Sequence, residues 1–96
     1  MASPLQYVSV TTTAANTTLT GTGSCIVVKS LDGAGIVAAR VDGTAADATG
    51  AEGNFYLAAL AGDVVVIPVS VRGSIVISLD ATATTKVALW LDQLDD

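Results

Sequence analysis

The residues that usually carry chemistry are few in this chain, and the most versatile type is missing. Its 96 residues include no histidine. That removes Ser-His-Asp and Cys-His catalysis and most zinc sites. Cys25 is the single cysteine, so no intrachain disulfide can form,. It lies in the apolar run "SCIVVKSL" and reads as a small core hydrophobe rather than a nucleophile,. "GTGSC" has two glycines but neither the lysine nor the spacing of a phosphate loop,. Asp42, Asp47 and Glu52 share one long loop and are the nearest approach to a calcium site. Their spacing does not match an EF-hand loop, so they read as a solvated acidic loop. Asp92, Asp95 and Asp96 form an acidic tail that is expected to fray,. The expectation is a protein that is not an enzyme, with no catalytic, cofactor-binding or metal-ligating residues and no cofactor.

Charge narrows the partners. The net charge is −5, and the four basic residues, Lys29, Arg40, Arg72 and Lys86, are scattered. Nucleic acid needs clustered Lys and Arg, and anionic membranes repel an acidic chain, so neither is expected as a partner. The start "MASPLQYVSV" has neither the basic beginning nor the long apolar segment of a secretory signal,. No run reaches the roughly 18 apolar residues that span a bilayer. Yet 51% of the residues are hydrophobic. One small core cannot take up so much Val, Ile and Leu. Part of the outer surface is therefore expected to be buried, most simply against other copies of the chain.

The elements that must carry these residues are strands. Val, Ile and Thr dominate, no helical period is visible, and Gly and Asp punctuate the chain at short intervals,. Strands are predicted at about Gln6–Thr12, Thr17–Thr20, Ser24–Leu31, Ile36–Asp42, Asn54–Leu60, Asp63–Val71, Ser74–Leu79 and Thr84–Leu91. Asp32–Gly35 reads as a hairpin turn, with tight turns at Ala61–Asp63 and Arg72–Gly73 and a longer one at Asp80–Thr84. The fold class is all-β, a small antiparallel β-sandwich or jelly-roll-like single domain over residues 1–96, with 1–5 and 92–96 extended or frayed.

Alternation assigns the faces. Ile75, Ile77 and Leu79 share one face, as do Val87, Leu89 and Leu91; Lys86, Ala88, Trp90 and Asp92 point the other way. "DVVVIPVSV" is apolar on both faces, Val65, Ile67, Val69 and Val71 on one and Val64, Val66 and Pro68 on the other. Pro68 has no amide donor, which marks an edge strand or a bulge. A bare apolar edge is an aggregation hazard, so this strand points to a partner surface. Trp90 packs under a loop of its own chain or anchors an interface, where Trp is enriched. Tyr7 and Tyr56 read as rim or core residues rather than ligand stackers.

The segment "IVVKSLDGAGIVAARVDGTAA" and the later "LAALAGDVVVIPV" resemble a pattern of small structural proteins of tailed bacteriophages. There a strand like "VYVRVDGT" is followed by a segment like "LPAG…IPV". The counterparts here are Val37–Thr44 and Leu57–Val69, with "LAALAGD" in place of the commoner Pro-Ala-Gly, and the resemblance covers Ser24 to Leu91. It implies a small β-sandwich or jelly roll that builds a particle, often as a symmetric oligomer, and carries over no catalytic residue.

The function expected is that of a virion protein, a capsid decoration (cement) protein that binds and stabilises the head shell as a homotrimer. Its partners would be its own copies and the major capsid protein or other virion proteins. Its place would be the virion, on the capsid surface, after assembly in the bacterial host cytoplasm. A tail or head–tail connector component is the alternative; a carbohydrate-binding module is another, weakened by having one Trp, two Tyr and one Phe. Interface candidates are Thr44, Asp47, Gly50, Glu52, Val64, Val66, Pro68 and Trp90. Thr44–Gly53 is read as a flexible, small-residue contact loop.

Overall fold

The computed structural model describes residues 5–50 and 52–93. Asp95, Asp96 and the first four residues, expected to be frayed, lie outside the described residues. The elements are β1 (Gln6–Val10), β2 (Ala15–Ser30), β3 (Val37–Arg40), β4 (Phe55–Leu57), β5 (Val64–Ala81) and β6 (Thr85–Asp92). The fold is all-β, and every pairing is antiparallel, in the order β1-β6-β2-β5-β3-β4.

Two strands are too long to be straight. At roughly 3.3 Å per residue, the 18 residues of β5 would run about 60 Å, while the longest dimension of the molecule is 33 Å. β2, with 16 residues, has the same difficulty. Both bend together. Gly21 (φ 146°) and Gly73 (φ 104°) face each other on one rung, and a bulge follows between Gly23 and Cys25. Glycine alone adopts such backbone without a side-chain clash, and a bulge adds local bend and twist. The bend divides the sheet into two layers. One is β1, β6, the second half of β2 and the first half of β5; the other is the first half of β2, the second half of β5, β3 and β4. Strands pair as nested sets, β3 with β4, β2 with β5 and β1 with β6, which is the winding of a jelly roll,.

The inner faces of both layers meet in one cluster. Leu19, Ile26, Val28, Leu57, Ile67, Ile77, Val87, Leu89 and Leu91 are fully or almost fully buried there, with Ile75, Val65 and Val69 half-buried at its margin. Each full burial of such a side chain contributes about 1.5–3 kcal/mol. The alternation read from the sequence assigns these faces correctly.

Several local expectations are corrected. Arg72–Gly73 is no turn; Ser74–Leu79 continues Asp63–Val71 as one bent strand, and Thr17–Thr20 likewise continues into Ser24–Leu31. Asp32–Gly35 turns the chain, with Gly33 at φ 64°, but β2 and β3 do not pair, so it closes no hairpin. The turns at Ala61–Asp63 and Asp80–Thr84 also join strands that are not neighbours in the sheet. Asp92 is not frayed: it ends β6, opposite Cys25.

Candidate functional site

The two layers expose opposite outer faces, and these differ. On the first layer three rows cross the strands: Val66–Val27–Trp90, Val64–Lys29–Ala88–Tyr7 and Pro68–Cys25–Asp92. Tyr7 is 70% exposed, Val64 47% and Val66 46%; Pro68 is exposed, and Val27 and Trp90 are half-buried. The indole Nε1 of Trp90 donates to Asp92 Oδ2 at 3.3 Å, so its polar end is satisfied along its own strand while the ring lies beside Val27. Among the described residues no loop covers Tyr7, Val64 or Val66.

The candidates Val64, Val66, Pro68 and Trp90 thus fall on one face, although they come from two strands. The first half of β5 pairs only with β2 among the described strands, because β3 reaches no further than Ser78. It is an edge, and Pro68 sits on it one residue from where the register shifts. Sequence reasoning passed over Tyr7 and Val27 as members of this face. Period-two alternation beside the buried Val10 and Val28 was the signal for both.

Thr44, Asp47, Gly50 and Glu52 lie elsewhere, on the connection between β3 and β4, and they are not brought to that face. This connection is not the flexible excursion expected. It folds back over the outer face of the second layer. The Ala46 amide donates to Ser78 Oγ and the Ala48 amide to Asp80 Oδ2, each at 2.9 Å. Ala46 and Ala48 are buried with Ala38 in a small cluster of their own. Asp80 Oδ1 is buried there without a hydrogen-bond partner among the described residues.

Short polar side chains hold the loop's shape. Asp42 Oδ1 accepts the Thr44 amide at 3.1 Å, Asp47 Oδ1 the Thr49 amide at 2.9 Å, and Asn54 Oδ1 the Asp47 amide at 3.0 Å. Tyr56 donates its hydroxyl to the Asp47 carbonyl at 3.2 Å. Arg40 pairs with the Asp42 carboxylate and donates to the Glu52 carbonyl at 3.0 Å, tying the two ends of the loop. The Arg40 guanidinium, followed by the Thr44 amide, holds the Asp42 carboxyl at about 2. The Thr49 hydroxyl and then its amide lower that of Asp47. Thr44, Gly50 and Glu52 are exposed.

Beside this loop lies an open groove of ≈ 640 Å³ along the start of β5 and the edge strand β4. Ile36, Tyr56, Leu57 and Ala58 give it an apolar wall, and Thr49 and Asp63 line it as well. Asp63 accepts the Ala58 amide at 2.7 Å, which fixes the turn into β5. Ile36 and Tyr56 are partly exposed in it.

As for chemistry, Cys25 is buried with its thiol on the Asp92 carbonyl at 3.6 Å. Burial, and after it the Asp92 charge, push that thiol above its ordinary value, which keeps it protonated and a poor nucleophile,. Among the described residues no three of Cys, Asp and Glu converge on a metal position. What the arrangement offers is surface. A comparison with protein-family models and with curated proteins gives no match.

Proposed function

We propose that the chain is a non-enzymatic structural subunit of a virion, a decoration (cement) protein that attaches to a head shell as a homo-oligomer. The observation that carries this reading is the uncovered apolar face of β1, β6, β2 and β5, bordered by the open edge of β5. A chain working alone in water gains nothing from a contiguous bare apolar face and risks aggregation through it. A subunit that lives among copies of itself on a shell hides it. The jelly-roll winding suits this use, and the resemblance of Ser24–Leu91 to small phage structural proteins supplies the setting. Shell binding then stabilises the lattice by mass action, because only the assembled shell presents the site.

The test is to read the neighbouring genes for a major capsid protein and co-express the chain with it, followed by sedimentation of the shells and cryo-electron microscopy. Stoichiometric occupancy at symmetric positions on the outside, with a raised shell melting temperature, is the expected result. Shells that sediment bare, or a genomic neighbourhood without a capsid gene, would overturn the proposal. Density in the tail or at the head–tail junction would transfer it to the connector alternative.

A further inference from the structure

We infer that the segment Thr44–Thr49 is a strap that lifts off the outer face of the second layer as one unit, with both layers still folded, and that Arg40 is its latch. The inference goes beyond the proposed function and holds whatever the chain attaches to.

The strap is separate from the core it lies over. It belongs to no strand. The bonds that tie it down end on side chains and not in a strand ladder: the Ala46 amide on Ser78 Oγ, the Asp47 amide on Asn54 Oδ1 and the Ala48 amide on Asp80 Oδ2. Ala46 and Ala48 form with Ala38 a cluster that does not join the main core. Three methyl groups hide far less apolar surface than a core strand does. A segment with so few buried apolar contacts opens at a free energy well below that of the whole domain. The closed position also carries an opposing term. Asp80 Oδ1 lies buried under it with no hydrogen-bond partner among the described residues. A buried carboxylate oxygen without a donor favours any state in which water reaches it.

Pivots flank the strap on both sides. Gly43 (φ 86°) and Gly50 (φ 100°) stand at its ends, and a Cβ at either would meet nothing within 4 Å, so the backbone has room to turn there,. The latch acts outside the pivots. Arg40, on β3, pairs with Asp42 before the first and donates to the Glu52 carbonyl at 3.0 Å after the second. With both ends held, the strap gains less freedom by lifting, which favours the closed state.

Lifting has a structural consequence. On one side of the strap, a hollow of ≈ 380 Å³ runs along Thr44 and Ala45, with Asn16 and Ser78 in its wall. On the other, the groove of ≈ 640 Å³ runs along Ala48, Thr49 and Gly50. The strap is the wall between them. Raised, it joins them into one trough floored by Ala38, Ser78 and Asp80, a polar surface that the closed chain hides.

Native-state hydrogen exchange, read by NMR on the purified, isotope-labelled full chain, tests this. The reporters are the Ala46 and Ala48 amides, set against those of Val28 and Leu89 in the central strands. After correction for intrinsic rates, the strap amides are expected to exchange about thirtyfold or more faster than the core pair, together, and without dependence on low urea. Arg40→Ala should speed both strap amides about three- to tenfold relative to the core pair. Asp42→Ala should act in the same direction and serves if Arg40→Ala does not fold. Strap amides that exchange with the core pair, on the same urea slope, overturn the inference, because the strap then opens only by global unfolding. So do rates for Ala46 and Ala48 more than about tenfold apart, which would deny a single unit. Exchange at the free-peptide rate overturns it as well, since no closed state would exist. A strap rate unchanged in the folded variant removes Arg40 as the latch.

Discussion

The two outer faces of this jelly roll share β2 and β5, yet a loop of the chain lies over part of one, while the apolar rows of the other stay open. On the second layer the β3–β4 connection lies over Ala38, Ser78 and Asp80 and turns a sheet surface into interior. On the first layer Tyr7, Val64 and Val66 stay in solvent. The difference teaches what the long loop is for. The β3–β4 connection covers the patch around Ala38, Ser78 and Asp80 and leaves Val76 of the same face in solvent.

Leu89 lies under the bare layer and Ile77 under the covered one, both with no solvent exposure. Leu89→Ala and Ile77→Ala should each cost about 2–5 kcal/mol in a denaturant titration. A cost below about 0.5 kcal/mol for either would show that the layers do not share one core. Replacing Thr44–Gly53 by a tight turn should cost about 1–3 kcal/mol, since the Ser78 hydroxyl, the Asp80 carboxylate and Ala38 lose their cover. A shortened chain as stable as wild type would reduce the loop to an ornament.

Single substitutions sharpen the contrast. Ser78→Ala leaves the buried Ala46 amide without its acceptor and should cost about 1–2 kcal/mol by urea melting. Val66→Ser, measured at concentrations where the chain is monomeric, should change stability by less than about 0.5 kcal/mol. Equal costs would erase the distinction between the faces. The smallest effect is electrostatic. The Asp42 carboxyl sits at about 2, below the roughly 3.9 of an unfolded Asp. Its contribution is therefore whole above about pH 4 and is lost as the pH falls through about 2. Asp42→Asn should flatten that part of the acid-unfolding curve and leave the neutral range almost unchanged, because the pair is at the surface. An unaltered acid limb would show that Arg40 does not hold the loop's ends.

Much of this architecture was legible in the chain, and the part that was not has a physical cause. Strand positions and faces follow from period-two alternation, as in Val87, Leu89 and Leu91. Partners do not, because alternation says which way a side chain points and nothing about which strand lies beside it. Asp32–Gly35 has the residues of a hairpin turn and serves a crossover between layers. Gly73 has the look of a turn because a bend in a strand asks for the same backbone freedom. The face candidates Val64, Val66, Pro68 and Trp90 were found because each breaks the apolar-in, polar-out rule. The loop was misread because Ala46 and Ala48 carry no signal of burial: a small residue suits an exposed excursion and a tight cover equally. Only Ser78 and Asp80, more than thirty residues away, distinguish the two.

The nested winding sets the order in which the molecule can be made. Among the described strands β3 and β4 are the one pair of sequence neighbours that bond to each other; β2 must find β5 around them, and β1 has only β6 as its strand partner. Structure grows as a fastener closes, from the middle of the chain toward both ends, each rung shortening the loop the next must close. β1, made before the other described strands, is then the last of them to be placed, since its partner β6 ends at Asp92. A nascent chain stalled before Thr85 should remain open to protease at β1, and release of β6 should protect β1 and β6 in one step. Completing the fold and completing the outer face of the first layer are then the same event, because that face needs both β1 and β6.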